Sequence, residues 1–142
     1  AISLFDLKSN KIVIDLDKKS LDRSIKCDES QINRVLNNLI INSIHSIESK
    51  YNNESGGTIY IDASLKDNYL KIKIFDNGKG LSHKEEDLLK PYFSTKEKNI
   101  GTGLGLSIVE KIISEHGGNF HIYNLEDKSG ACSEFTLKLT ND

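Results

Sequence analysis

Gly101-Thr102-Gly103-Leu104-Gly105-Leu106 sets a glycine at every second position and then runs straight into an apolar-periodic stretch. Without Cβ atoms, these glycines leave backbone N–H groups unobstructed and permit positive φ. The spacing of Leu104, Ile108, Val109, Ile112 and Ile113 predicts a helix over about 102–116. Its N-terminus would aim unpaired donors and the positive end of its dipole at the glycines, a combination suited to phosphate. The pattern is not the GxxxxGK[ST] of a P-loop. Nor is it a GxGxxG opening a βαβ unit, since it is GxGxG, late in the chain, with no parallel-strand pattern after it. A glycine-rich helix entry that binds nothing is the alternative at this point.

Reading outward from that run, Gly117-Gly118 predicts a left-handed stop to the helix. Phe120–Leu125 and Ser133–Leu139 alternate as two strands of a closing hairpin. Upstream, 91–101 is polar and without periodicity, and Pro91 ends a short helix expected over 82–90. Before that, Thr58–Leu65 and Tyr69–Phe75 alternate around the polar turn Lys66-Asp67-Asn68, a second hairpin. Asp28-Glu29-Ser30 offers N-cap chemistry to a long helix carrying Ile32, Val35, Leu36, Leu39, Ile40, Ser43, Ile44 and Ile47 at three- and four-residue steps. The polar stretch 51–57 closes that helix. Two short strands are expected in the first 27 residues, from the alternation around Ile12, Ile14 and Leu16 and from Ser24-Ile25-Lys26. The expected fold class is α+β: a two-layer sandwich of a mixed, mostly antiparallel sheet with helices on one face.

Three further clusters carry chemistry. Asp76-Asn77-Gly78-Lys79-Gly80 interrupts a strand end. It reads either as an ordinary Asp-Asn-Gly turn or as a carboxylate that accepts from an adenine amino group, with glycines letting the backbone pass close to the ring. Asn38, Asn42 and His45 fall at i, i+4 and i+7 on one helical stripe. With thirteen Asn in the chain, a solvated face explains them as well as a hard amide-oxygen ligand for Mg²⁺ at Asn42. In Pro91-Tyr92-Phe93-Ser94-Thr95-Lys96 the aromatic pair is either a packing plug or the anchor of a lid whose Lys96 reaches a terminal phosphate.

The 142 residues make one ordinary domain, here 1–142, long enough for a real core. The net charge of −2 gives no electrostatic case for nucleic acid or for an anionic membrane. Cys27 and Cys132 stand far apart without ligand spacing, against a disulfide framework or a zinc site and in favour of a reducing, intracellular setting. No apolar run approaches the roughly 18 residues that span a bilayer. The chain has no Met and begins at Ala1, which reads as a cytoplasmic piece excised from a longer protein, with any sensor, membrane anchor or partner domain of the parent outside it.

In order, Asn38-Leu39-Ile40-Ile41-Asn42, Asp76-x-Gly78-x-Gly80, Pro91 to Lys96, and Gly101 to Leu106 resemble the N, G1, F and G2 boxes of sensor histidine kinase catalytic domains. These belong to the gyrase, heat-shock chaperone, histidine kinase and mismatch-repair ATPase superfamily. The likeness covers about residues 28–140, and the stretch 91–118 looks closest to nitrogen-regulation sensor kinases of the NtrY and NtrB kind. It implies the left-handed ATP-binding sandwich and the cofactors ATP and Mg²⁺. It implies Asn42 as the metal ligand with Asn38 supporting, Asp76 on adenine, and Gly78 and Gly80 shaping its pocket. Gly101, Thr102, Gly103, Leu104, Gly105 and Leu106 would cradle phosphates, and Tyr92, Phe93 and Lys96 would belong to an ATP lid. His45 stands where Lys or Arg is common, so its phosphate contact is a departure. Ser43 for Ala reads as a small change. Gly130-Ala131-Cys132-Ser133-Glu134-Phe135 matches the last glycine box only roughly and is assigned no ligand.

Family members that hydrolyse ATP with water carry a Glu at the place of Asn38, a general base that an amide cannot replace. The resemblance therefore implies phosphoryl transfer to a supplied imidazole, by positioning and charge neutralisation. None of His45, His83, His116 and His121 sits in a His-Glu-plus-basic phosphoacceptor pattern. The implied partners are the parent's dimerisation and phosphoacceptor domain and a response regulator. The competing readings are a serine kinase of the anti-sigma-factor type and a non-catalytic ATP/ADP-sensing module.

Overall fold

The computed structural model describes residues 2–7, 10–16, 28–52, 56–90, 105–127 and 130–138. Strands β1 (Ile2–Leu7) and β2 (Asn10–Leu16) precede helix α1 (Glu29–Tyr51); β3 (Thr58–Lys66) and β4 (Tyr69–Asp76) follow it. Then come α2 (Glu85–Leu88), α3 (Gly105–Glu115), β5 (Phe120–Asn124) and β6 (Ala131–Lys138). The six strands form one sheet in the order β1-β2-β3-β4-β6-β5. Only β2–β3 is parallel, and α1 lies in the crossover that a parallel pair requires. The expected mixed, mostly antiparallel α+β sandwich is the observed one. One strand, β1, was not expected, and Ser24–Lys26 lies outside the described residues.

Local chemistry accounts for the elements. The Asp28 carboxylate accepts from the Gln31 N–H at 3.2 Å and caps α1. Asn52, with φ 48°, ends α1 in the left-handed region. Asp67 and Asn68, at φ 51° and 67°, make the doubly left-handed two-residue turn that matches strand twist and fixes the Lys66–Tyr69 register. At the end of α3 the Gly118 N–H donates to the Ile113 carbonyl and the Gly117 N–H to the Ser114 carbonyl, both at 3.0 Å. With Gly117 at φ 74°, this is the Schellman stop that the glycine pair predicts. α2 is shorter than the 82–90 expected, because Lys84 at its N-cap supplies no side-chain acceptor.

The core lies between the sheet and the two long helices. α1 contributes Val35, Leu39 and Ile47, and α3 contributes Val109, Ile112 and Ile113. The sheet answers with Ile59, Ile61, Ile74, Phe120, Ile122, Phe135 and Leu137. Each such side chain is worth about 1.5–3 kcal/mol when fully buried, so the stripe that predicts α1 also glues it over β3 and β4. α2 is tied to edge strand β5 by Glu85, which accepts from the Ile122 N–H at 3.1 Å and meets His121 Nδ1 at 3.2 Å. That contact also occupies a donor on an otherwise open sheet edge.

Candidate functional site

The fold gathers one polar cluster at the C-terminal end of β4, beneath α1. Asp76 is the last residue of β4 and only 7% exposed. Its Oδ1 accepts from the Gly78 N–H at 2.9 Å. The Ser43 hydroxyl and the Ala131 N–H also donate to the carboxylate. Ser46, whose buried Oγ makes no well-formed hydrogen bond among the described residues, adds a weaker favourable interaction. Burial pushes the Asp76 carboxyl above the ordinary carboxylate range, and these donors pull against it without cancelling the shift. The result is a buried acceptor at the end of β4, suited to a neutral N–H donor such as an exocyclic amine.

The loop after Asp76 is locked down on both sides. A Cβ built on Gly78 would run into the Ser46 hydroxyl and lie 2.6 Å from the Ser46 carbonyl carbon, so only glycine lets the loop touch α1. The Lys79 N–H then donates to the Ser46 carbonyl at 3.3 Å. Asn77 works as a clamp. Its Oδ1 accepts from the Thr58 N–H at 2.7 Å, its amide nitrogen donates to the Gly56 carbonyl at 2.9 Å, and its own carbonyl accepts from the Tyr51 hydroxyl at 3.3 Å. Asn124 of β5 does the same from the far side, accepting from the Leu81 N–H at 2.6 Å and donating to the Leu81 carbonyl at 2.9 Å. Gly80, at φ 79°, turns between these two fixed points.

α1 packs against α3. Asn38, Asn42 and His45 on α1 are half-buried rather than solvated. Gly105, at the start of α3, opens directly toward Asn38: a Cβ there would lie 3.8 Å from the Asn38 Oδ1. The first-turn N–H groups of α3 thus sit next to an amide oxygen of α1. Leu106 packs against the core from the same turn. Of the predicted residues, Asp76, Gly78 and Gly80 lie at the end of β4, with Asp76 and Gly78 against Ser43 and Ser46 of α1; Asn38, Asn42 and His45 lie on α1, and Gly105 and Leu106 open α3 beside Asn38. Tyr92, Phe93, Lys96, Gly101, Thr102, Gly103 and Leu104 lie outside the described residues.

Two features escape a reading of the sequence. Ser43 is more than a small change from Ala, because its hydroxyl donates to Asp76; the signal was a polar residue inside the inward stripe Val35, Leu39, Ile47. Ala131 matters through its backbone, which only the pairing of β4 with β6 brings opposite Asp76. A cavity of about 340 Å³ at the same end of the sheet is lined by Lys79, Gly80, Asn124, Leu125, Glu126 and Gly130. It includes neither Asp76 nor the α1 asparagines, so the convergent polar groups and this hollow do not coincide. Among the described residues no group of three or more His, Cys, Asp or Glu side chains is arranged to hold a metal ion. Nor is any helix among them long and apolar enough to cross a membrane. Cys132 is a free, buried thiol.

The chain is similar to known proteins. The family model described as "Histidine kinase-, DNA gyrase B-, and HSP90-like ATPase" matches residues 27–141. The nitrogen regulation protein NtrY of Azorhizobium caulinodans is 39% identical over 113 residues, covering 78% of this chain and 14% of that protein. The sensor histidine kinase ZraS of Escherichia coli K12 is 34% identical over 135 residues, covering 94% of this chain and 27% of that protein. The chain therefore spans under a third of the length of these relatives. Among solved structures, the catalytic domain of histidine kinase ThkA in a nucleotide-free form superposes with a TM-score of 0.75 at 28% identity, covering 92% of this chain and 80% of that one.

Proposed function

Because the chain belongs to the histidine kinase-, DNA gyrase B- and HSP90-like ATPase family, we propose that it binds Mg-ATP and donates the γ-phosphoryl group to a histidine on a separate dimerisation and phosphoacceptor domain. On this reading it is the single ATP-binding catalytic domain of a longer sensor kinase, serving two-component signalling through a response regulator. The observation that carries the proposal is Asp76: a buried carboxylate at the end of β4, braced by Gly78, Ala131 and Ser43 of α1, the helix whose Asn38 meets the start of α3. Asp76 would accept from the adenine amino group, and the loop of Gly78 and Gly80 would lie against the ring. The N-terminal turn of α3 would receive phosphate.

Mg²⁺ fits this site in one way. With no carboxylate cluster among the described residues, the ion would be held by the Asn42 amide oxygen, supported by Asn38, with phosphate oxygens and water completing its shell. It would neutralise charge on the phosphates. Nothing at position 38 can take a proton from water, so the chain's own residues orient and hold ATP rather than activate a nucleophile. In the transfer, the bond between the γ-phosphorus and its bridging oxygen breaks, a phosphorus–nitrogen bond to an imidazole forms, and ADP leaves.

The histidines of this chain support an external acceptor. His116 has both ring nitrogens engaged, His121 faces Glu85, His83 sits beside Ser82, and His45 is half-buried on α1. Incubation with γ-labelled ATP should leave the isolated chain unlabelled, while its parent's dimerisation helix pair, added in trans, acquires acid-labile phosphate. Strong labelling of the chain itself, or acid-stable phosphate on a partner, would contradict the histidine-kinase assignment.

A further inference from the structure

We infer that His116 is a positioning residue for the phosphate end of the site, a staple that sets the spacing between α1 and α3. The inference rests on the nucleotide reading given above. His116 follows the last residue of α3. Its Nδ1 lies 2.8 Å from the Ile112 carbonyl, which can only accept, so Nδ1 carries the proton and donates. Its Nε2 lies 3.1 Å from the Asp28 backbone nitrogen, which can only donate, so Nε2 presents its lone pair and accepts. The two partners fix one neutral tautomer. They also join residues 88 positions apart: the end of α3 and the N-cap of α1.

The far end of the same helix pair is where phosphate would bind. Asn38 of α1 faces Gly105 of α3, so the helices run antiparallel with matched rungs at 28–116 and 38–105. Ten residues of α1 separate its two rungs and eleven residues of α3 separate the others, about 15 and about 16 Å at 1.5 Å per residue. Between them the apolar contact of Val35 and Leu39 with Val109, Ile112 and Ile113 is tight but non-directional, and it permits sliding. A directional hydrogen bond at one end fixes the register that apolar packing leaves open. A shift of α3 along α1 would move the Gly105 end past Asn38 and Asn42 while leaving Asp76, on β4, in place.

That geometry predicts a split by ligand. In His116→Asn the amide can still reach the local Ile112 carbonyl, but it is too short to reach Asp28. In His116→Gln the carbonyl oxygen extends to where Nε2 stood and can accept from the Asp28 N–H. We expect His116→Asn to weaken ATP binding by about three- to tenfold, the range of one ordinary hydrogen bond, with adenosine affinity within about twofold of the parent chain. His116→Gln should regain most of the ATP affinity. Chemical-shift titrations of the parent and both variants with ATP and with adenosine read this directly. Parent-like ATP binding by His116→Asn, an equal loss for ATP and adenosine, or a Gln variant no better than the Asn variant would each overturn the staple's positioning role. Absence of ATP binding by the parent chain would overturn the nucleotide reading and the role of His116 with it.

Discussion

Asp76→Asn is expected to weaken ATP binding by about a hundredfold or more, equivalent to about 3 kcal/mol, while leaving the fold nearly as stable as before. The two halves of that expectation have one cause. The carboxylate is held in place by the Gly78 and Ala131 N–H groups and the Ser43 hydroxyl, yet burial still raises its pKa above 3.8. A carboxyl whose folded value is raised binds protons more tightly in the native state than in the unfolded one. Its contribution is therefore most favourable below the unfolded pKa and declines as pH rises through the folded pKa. When ionised, the group costs the fold stability rather than adding to it, as expected of a functional acceptor. An Asn side chain has the same shape. Its oxygen can accept from the Gly78 N–H and its nitrogen can donate to a serine hydroxyl, so the melting temperature should move by no more than a few degrees. What it would lose is the anionic acceptor proposed for an exocyclic amine. For the same reason ATP affinity of the parent chain should fall as pH drops through the raised Asp76 pKa. ATP binding by Asp76→Asn within about threefold of the parent would remove Asp76 from the site.

Gly130→Ala is expected to be the most damaging single methyl in the described part of the chain. Gly130 stands at φ 149°, immediately before β6, and its missing Cβ is the space in which the Asp76 carbonyl oxygen lies. An added Cβ would also come within 2.7 Å of the Asp76 carbonyl carbon and 2.8 Å of the Asn77 Cα. These are backbone atoms of a central strand, so no side-chain rotation relieves the overlap. Gly130 cannot retreat, because its carbonyl accepts from the Leu125 N–H at 2.9 Å and the next residue pairs with Asp76 in register. A loss of about 3 kcal/mol or more follows from overpacking plus an unfavourable backbone conformation, or a drop of about 10 °C in melting temperature for a domain of this size. Gly117→Ala is the matched control. It has a positive φ of 74° but open space around the added methyl, and should cost about 1 kcal/mol. Thermal melts of both variants test the difference. Equal, small losses would mean that the approach of β6 to Asp76 is looser than described.

These two residues also mark how far the sequence could be read. The apolar spacing of α1, its Asp28 cap, the Asp67-Asn68 turn and the Gly117-Gly118 stop are local signals, each written within a few residues, and each matches the structure. So does the pairing of the last two strands. Long-range adjacency is different. Nothing near Gly130 announces that β6 inserts between β4 and β5, so its box looked degenerate although its backbone touches Asp76. Ser43 looked like a minor change because its partner lies 33 positions away. Asn77 and Asn124 read as ordinary turn and strand residues until both are seen gripping the loop around Gly78 and Gly80. Strand β1 went unpredicted because Ile2-Ser3-Leu4-Phe5 lacks clean alternation, and β1 exists by pairing with β2. The short α2 followed the same logic in reverse: its predicted length rested on composition, without a capping acceptor to sustain it.

The proposed role of Asp76, Asn42 and the start of α3 is to hold a nucleotide with its metal. Calorimetric titration of the chain with ATP and with ADP, each with and without Mg²⁺, tests it most directly. One-site binding of both nucleotides is expected, with Mg²⁺ strengthening ATP more than ADP because the third phosphate would supply another oxygen to the ion that Asn42 is proposed to hold. No heat of binding at millimolar nucleotide, with or without Mg²⁺, would contradict it.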